Sequence, residues 1–289
     1  ATTNGVIVGI KLFVVLFVIA VGSFYVDPEN WQPYMPFGFQ GVVAGAATVF
    51  FAYIGFDAVT TAAEEAHNPE RDMAIGIVGS LIGCTILYLA VAAVLTGMVP
   101  LGQIDVSAPV AKAFGSHGRG FAASLIAAGA VAGLTSVLLV LLLGQSRIFF
   151  AMSRDGLLPP VFSRVHPRFG TPHLSTLLVG TVVATIAGFV QLGDLAELAN
   201  IGTLFAFVIV SIGVVVLRKT EPHRVRHFRT PWVPFLPVLS VFGCLYLMSA
   251  LPGVTWVRFL TWLAIGLGVY FAYGRSHSRV QQRSAAAVE

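Results

Sequence analysis

The chain has 289 residues, of which 56% are hydrophobic and 10% charged, and its mean hydropathy is +0.85. So little polar surface cannot cover a soluble globule of this size, so the composition points to an all-α integral membrane protein. The net charge of +4 does not indicate nucleic-acid binding, because the basic residues sit in short loops between apolar stretches, where they encode topology.

Eight stretches approach the roughly 20 residues that a helix needs to cross a bilayer: 5–26, 40–66, 74–99, 120–150, 174–190, 196–217, 233–251 and 257–273. They read as one transmembrane domain, 1–274, followed by a tail, 275–289. The first lacks a basic n-region and exceeds the about 7–15 apolar residues of a secretory signal, so it is expected to be a true helix. Only Ala1-Thr2-Thr3-Asn4 precedes it, with no initiator Met, which suggests the tail of a longer protein. Lys11 lies within this span. Its ammonium either snorkels to the interface or stands in the bundle as a fixed cation.

The second span contains Phe51-Ala52-Tyr53-Ile54-Gly55-Phe56-Asp57. An ionised Asp in hydrocarbon costs at least about 2.5 kcal/mol on insertion scales, so it is expected to face a partner, a cavity or a transport path. Gly55 beside it weakens the helix, and a helix broken there would present carbonyl and N–H dipoles to a ligand near the midplane. Desolvation would raise the Asp57 pKa, while the N-terminus of a half-helix beginning near Ala58 would lower it. Such opposing terms suit a carboxyl that exchanges a proton. The other reading is an Asp that caps the broken helix.

The turn 66–72 offers Asn68 as an N-cap and Pro69 as the first helical residue of the third span. Beyond that span, 106–118 is either a short amphipathic helix or a solvated connector. The fourth span carries Thr135 and Ser136, hydroxyls that could neutralise Lys11 or simply bond their own helix backbone. The Arg- and Pro-rich loop 153–173 suits a cytoplasmic element packed under the bundle. Cys84 and Cys244, each inside a span, read as small buried hydrophobes. All seven histidines lie in loops or tails, so neither a metal site, a catalytic residue nor a cofactor is expected. The basic residues are concentrated on one side of the bundle, Arg71, Arg154, Arg168, Lys219 and Arg275 among them, against Lys112, Arg119 and Arg258 on the other. This predicts a multi-pass cell-membrane protein with both ends of the chain cytoplasmic.

Two ordered segments carry a family resemblance. Residues 51–57, followed by Ala63-Glu64-Glu65 and Asn68-Pro69-Glu70-Arg71-Asp72, resemble the sixth helix and following loop of cationic amino acid transporters, members of the amino acid–polyamine–organocation superfamily. Gly144-Gln145-Ser146-Arg147-Ile148-Phe149-Phe150-Ala151-Met152-Ser153-Arg154-Asp155-Gly156-Leu157-Leu158-Pro159 resembles the eighth helix and the loop after it. The resemblance runs from the family's fifth helix at Gly5 to its twelfth at Tyr273. It implies a pair of inverted five-helix repeats with two peripheral helices, of which this chain would hold the fifth helix onward and lack the first four.

The resemblance further implies secondary active transport of cationic or neutral amino acids, proton-coupled or sodium-independent. Phe51, Ile54, Gly55 and Asp57 would contact the substrate, and Lys11, with Thr135 and Ser136, would occupy what is a sodium site in related transporters. The expected partners are an amino acid, protons, the lipid bilayer and the missing N-terminal helices. A channel is disfavoured, because polar residues cluster at the broken helix and helix ends rather than forming a continuous lining. The alternative is a truncated, transport-inactive fragment with a structural or partner-binding role.

Overall fold

The computed structural model describes residues 2–56, 68–168, 170–223, 225–226 and 228–279. Asp57, Glu64 and Glu65 therefore lie outside the described residues. The elements are α1 (Thr2–Gly22), α2 (Gly38–Tyr53), α3 (Pro69–Met98), α4 (Pro109–Ser116), α5 (Gly120–Arg154), α6 (His173–Phe189), α7 (Leu192–Thr220), α8 (Phe235–Ser249) and α9 (Gly253–Val269). α9 continues through a π-turn at Tyr270–Gly274 into Arg275–His277. Pro69 opens α3 as expected, and the Asp72 carboxylate accepts from the Asn68 N–H.

Among the described residues, five helical stretches are long and apolar enough to cross a membrane: Gly5–Tyr25, Arg71–Met98, Gly120–Arg154, Leu192–Thr220 and Gly253–His277. The other three anticipated spans are shorter as described helices. α2 has 16 residues, α6 has 17 and α8 has 15. At 1.5 Å per residue α8 extends about 22 Å, less than the roughly 30 Å of hydrocarbon. Pro234, the N-cap residue just before α8, accounts for part of the difference from the expected 233–251. Large apolar side chains stand on the outside: Phe13 is 62% exposed, Leu89 67%, Leu177 70% and Phe242 67%. Scattered over both the membrane-length and the shorter apolar helices, they form a surface that lipid would cover. Cys84 is exposed on α3 rather than buried, whereas Cys244 is half-buried on α8.

The chain divides into two compact units. The first comprises Ala1–Gly38 and Gly76–Leu141. Its core joins Val14 and Val18 of α1, Val94 and Met98 of α3, Ala113 and Phe114 of α4, and Ala122 and Ile126 of α5. The stretch 106–118 thus contains a helix, and Phe114, fully buried, is its anchor. The segment between α1 and α2 is tied to the end of α3: the Asp27 N–H and the Asn30 side chain both donate to the Gly97 carbonyl, at 2.9 and 2.7 Å.

The second unit comprises Phe39–Ile75 and Leu142–Glu289. Its core joins Ala47 of α2, Ile201 and Leu204 of α7, Met248 of α8, Leu251 of the turn after α8, and Phe259 of α9. The loop after α5 packs locally, with Ser153 donating to the Pro159 carbonyl at 2.7 Å and Phe149 meeting Phe162 edge-to-face at 5.5 Å. Gly156, at φ +84°, lies against the His277 carbonyl, and the Arg279 N–H donates to the Asp155 carbonyl at 3.1 Å. The start of the expected tail is therefore docked on the turn that ends α5.

Candidate functional site

α2 ends at Tyr53, and Ile54–Phe56 form a turn in which Gly55 has φ +134°, a conformation that L-residues rarely adopt. α2 therefore ends where the glycine was expected to weaken the helix, and the half-helix expected from Ala58 onward lies outside the described residues. Ala47 is 1% exposed and faces α7. Phe50 meets Phe207 of α7 edge-to-face at 6.1 Å, and Phe56 approaches the same ring at 5.5 Å. Phe51 is 40% exposed on another face of α2, and Ile54 is half-buried in the turn. The apolar face of α2 thus holds the helix in place, while Phe51 stays outside the packed cluster.

One face of α7 carries three polar residues that the sequence reading did not single out. Asp194, Glu197 and Asn200 recur every third residue and so share a helix face. Arg258 of α9 pairs with Asp194 at 2.8 Å, and the fully buried Thr255 hydroxyl donates to Glu197 at 2.5 Å. One turn further, Asn200 donates through Nδ2 to the Ala47 carbonyl of α2 at 2.9 Å. The signal was available as Asp-x-x-Glu-x-x-Asn near the start of a largely apolar helix, since intramembrane polar residues are expensive unless paired.

In the first unit, Lys11 is partly buried and its stem crosses α5 at Gly133, where an added Cβ would stand 3.1 Å from Lys11 Cε. A Cβ on Gly129 would meet Val14 at 2.7 Å. Gly129-x-x-x-Gly133 is a small-xxx-small pattern that lets helices approach closely, and it too was legible in the sequence. Ser136, 3% exposed, shares the face of Gly129 and Gly133. Thr135 lies off that face, exposed, with its hydroxyl donating to the Val131 carbonyl at 2.9 Å.

Two features lie apart from these. A cleft of about 1200 Å³ between α5 and α6 is lined by Arg147, Arg154 and His173 at one end and by Leu177, Gly180 and Ala184 along its wall. It contains none of the sequence-predicted site residues. Lys112 of α4 pairs with Asp105 in the segment before it at 2.5 Å. That bond, followed by those from the Ser107 hydroxyl and N–H, holds the Asp105 carboxyl well below the usual carboxylate range. Among the described residues, no group of three or more His, Cys, Asp or Glu converges on a metal position.

Comparison with known proteins agrees with this architecture. The family described as amino acid permease matches residues 1–271. The chain is 52% identical over 275 residues to a methylthioribose transporter of Bacillus subtilis (strain 168), covering 95% of this chain and 60% of that protein. It is 51% identical over 280 residues to the branched-chain amino acid permease BcaP of the same organism, covering 96% and 60%. It is 36% identical over 343 residues to the chloroplastic cationic amino acid transporter 9 of Arabidopsis thaliana, again covering 96% and 60%. The chain therefore spans about 60% of the length of these relatives. With membrane-length apolar helices and a family match over nearly its whole length, this multi-pass membrane chain belongs to the amino acid permease family of the amino acid–polyamine–organocation superfamily.

Proposed function

We propose that this chain is the substrate-binding and coupling portion of an amino acid permease that carries out secondary active transport. Phe51 and Ile54 contact the substrate side chain, Gly55 opens the helix so that nearby backbone dipoles reach the substrate ammonium, and Asp57 exchanges the coupling proton. Lys11 supplies a fixed cation in place of sodium, with Ser136, on the Gly129–Gly133 face of α5, as the candidate hydroxyl partner rather than Thr135, which lies off that face. Both ends of the chain face the cytoplasm, and transport requires native upstream helices in addition to this chain. The observation that carries the reading is the end of α2 at Tyr53, with Gly55 at φ +134° two positions before Asp57 in the sequence, inside a chain of this family. The identities of the relatives support a small zwitterionic substrate, and the name of one of them adds methylthioribose as a second candidate.

The test is proton-gradient-driven uptake of labelled arginine, leucine, alanine and methylthioribose into proteoliposomes. This chain is compared with a version extended by its native upstream segment, each with and without Asp57→Asn. Uptake of an amino acid by the extended protein, lost with Asp57→Asn, is the expected result. Uptake of methylthioribose alone would replace the substrate. Uptake by the short chain would overturn the requirement for upstream helices. No uptake of any of the four by either form would count against the transport reading.

A further inference from the structure

Asn200 is the one polar side chain, among those described, that both is essentially buried and joins α7 to α2. It is 1% exposed, and its Nδ2 donates to the Ala47 carbonyl at 2.9 Å and lies 3.5 Å from the Thr48 carbonyl. Two carbonyls face it, so only an amide N–H₂ fits that side, which fixes the orientation of the group. Its Oδ1 is buried and has no hydrogen-bond partner among the described residues. Leaving one half of a buried amide unsatisfied is costly. The donor half must therefore hold something worth fixing, and it holds the helix that breaks two turns later at Gly55. The apolar contacts around it, Ala47 with Ile201 and Leu204 and Phe50 with Phe207, set the distance between α2 and α7 but not their axial register. A directional bond to a particular carbonyl does set register.

We propose that Asn200 is a positioning residue that locks α2 to α7, so that the two helices travel as one piece when the substrate site opens and closes. This rests on the reading of α2 as the carrier of substrate contacts. The bond grips the packed part of α2, and the turn at Ile54–Phe56 lies beyond it, so bending is confined to the residues after Tyr53.

The experiment uses the full-length polypeptide in lipid nanodiscs, with Cys84→Ala and Cys244→Ala to remove native thiols and spin labels on Phe39→Cys and Leu192→Cys. These sites begin α2 and α7 and are 67% and 73% exposed. Label-to-label distances are read with and without saturating substrate. The proposal expects one narrow distance that substrate leaves unchanged. Asn200→Leu, which removes the donor, and Asn200→Asp, which puts an acceptor against two carbonyls, should both broaden it. In uptake, both should raise KM about tenfold with a smaller effect on turnover, the size expected when a buried acceptor loses its donor. A distance that shifts on substrate binding with Asn200 intact overturns the proposal, and this measurement needs no Asn200 variant to fold. A narrow, unchanged distance in monodisperse Asn200→Leu protein overturns it as well. A broadened distance with unaltered KM upholds the lock and instead refutes the placing of substrate contacts on α2.

Discussion

Gly129 and Gly133 of α5 both face α1, yet replacing each with alanine should have opposite consequences. At Gly129 the new methyl would stand 2.7 Å from Val14 Cγ2, 3.0 Å from Cγ1 and 3.2 Å from Cβ. Favourable carbon–carbon contacts lie near 3.5–4.0 Å, so an overlap of about 1 Å must be relieved. Val14 cannot relieve it by rotation, because a β-branched side chain in a helix has one strongly preferred rotamer and Val14 is only 6% exposed. The helices must part. Overpacking of this kind costs about 1–3 kcal/mol. Removing a helical glycine returns about 1 kcal/mol, leaving Gly129→Ala less stable by up to about 2 kcal/mol. At Gly133 the nearest atom is Lys11 Cε at 3.1 Å, on a flexible stem that can swing aside. There the propensity gain survives, so Gly133→Ala should be neutral or more stable. Thermal unfolding in detergent, followed by size-exclusion of the surviving monodisperse fraction, should rank Gly133→Ala at or above wild type and Gly129→Ala below it. Val14→Ala should rescue the Gly129→Ala defect, since the pair is coupled through one contact. Gly129→Ala at or above Gly133→Ala in stability, or a double variant showing no rescue, would refute the close packing of α1 on α5 through this pair.

The remaining predictions concern other contacts. Gly133→Val should hold Lys11 away from α5 and abolish uptake while the protein stays monodisperse, which comparing uptake with size-exclusion profiles checks. Thr255→Val should lower stability by about 1–3 kcal/mol, because it leaves the Glu197 carboxylate without its buried donor; denaturant or thermal unfolding reads this. Gly156→Ala should destabilise the turn after α5, since φ +84° is strained for alanine and the methyl would collide with the His277 carbonyl. Limited proteolysis should then cut faster near residue 277. The folded-state pKa of Asp105 is depressed by Lys112 and Ser107. The stabilisation it contributes is accordingly complete above the ordinary carboxylate range near about 4 and is lost as pH falls through the lower folded value. The melting difference between wild type and Asp105→Asn should therefore be constant from pH 8 to about 5 and shrink with added salt, because the pair is exposed.

Composition and hydropathy alone determined that this chain is helical and crosses a membrane, because a bilayer offers backbone polar groups no other partners. Local chemistry also placed particular features, Pro69 at the start of α3 and the end of α2 just before Gly55, each the property of a few adjacent residues, whereas it left 106–118 open between a helix and a connector. The family could be recognised from two contiguous motifs. Helix lengths were less legible, since apolar runs such as 233–251 continue past the ends of the helix they contain. Partners were least legible of all. Lys11 was visible as a charge within a span, but its passage over Gly133 depends on the approach of two helices more than a hundred residues apart in the chain. The polar face of α7 was likewise visible as a pattern without a destination. Only the tertiary structure directs Asp194 and Glu197 to α9 and Asn200 to a carbonyl 153 positions away. Helix periodicity states which residues share a face, whereas the identity of the opposing face is set by packing between distant segments, which local sequence does not encode.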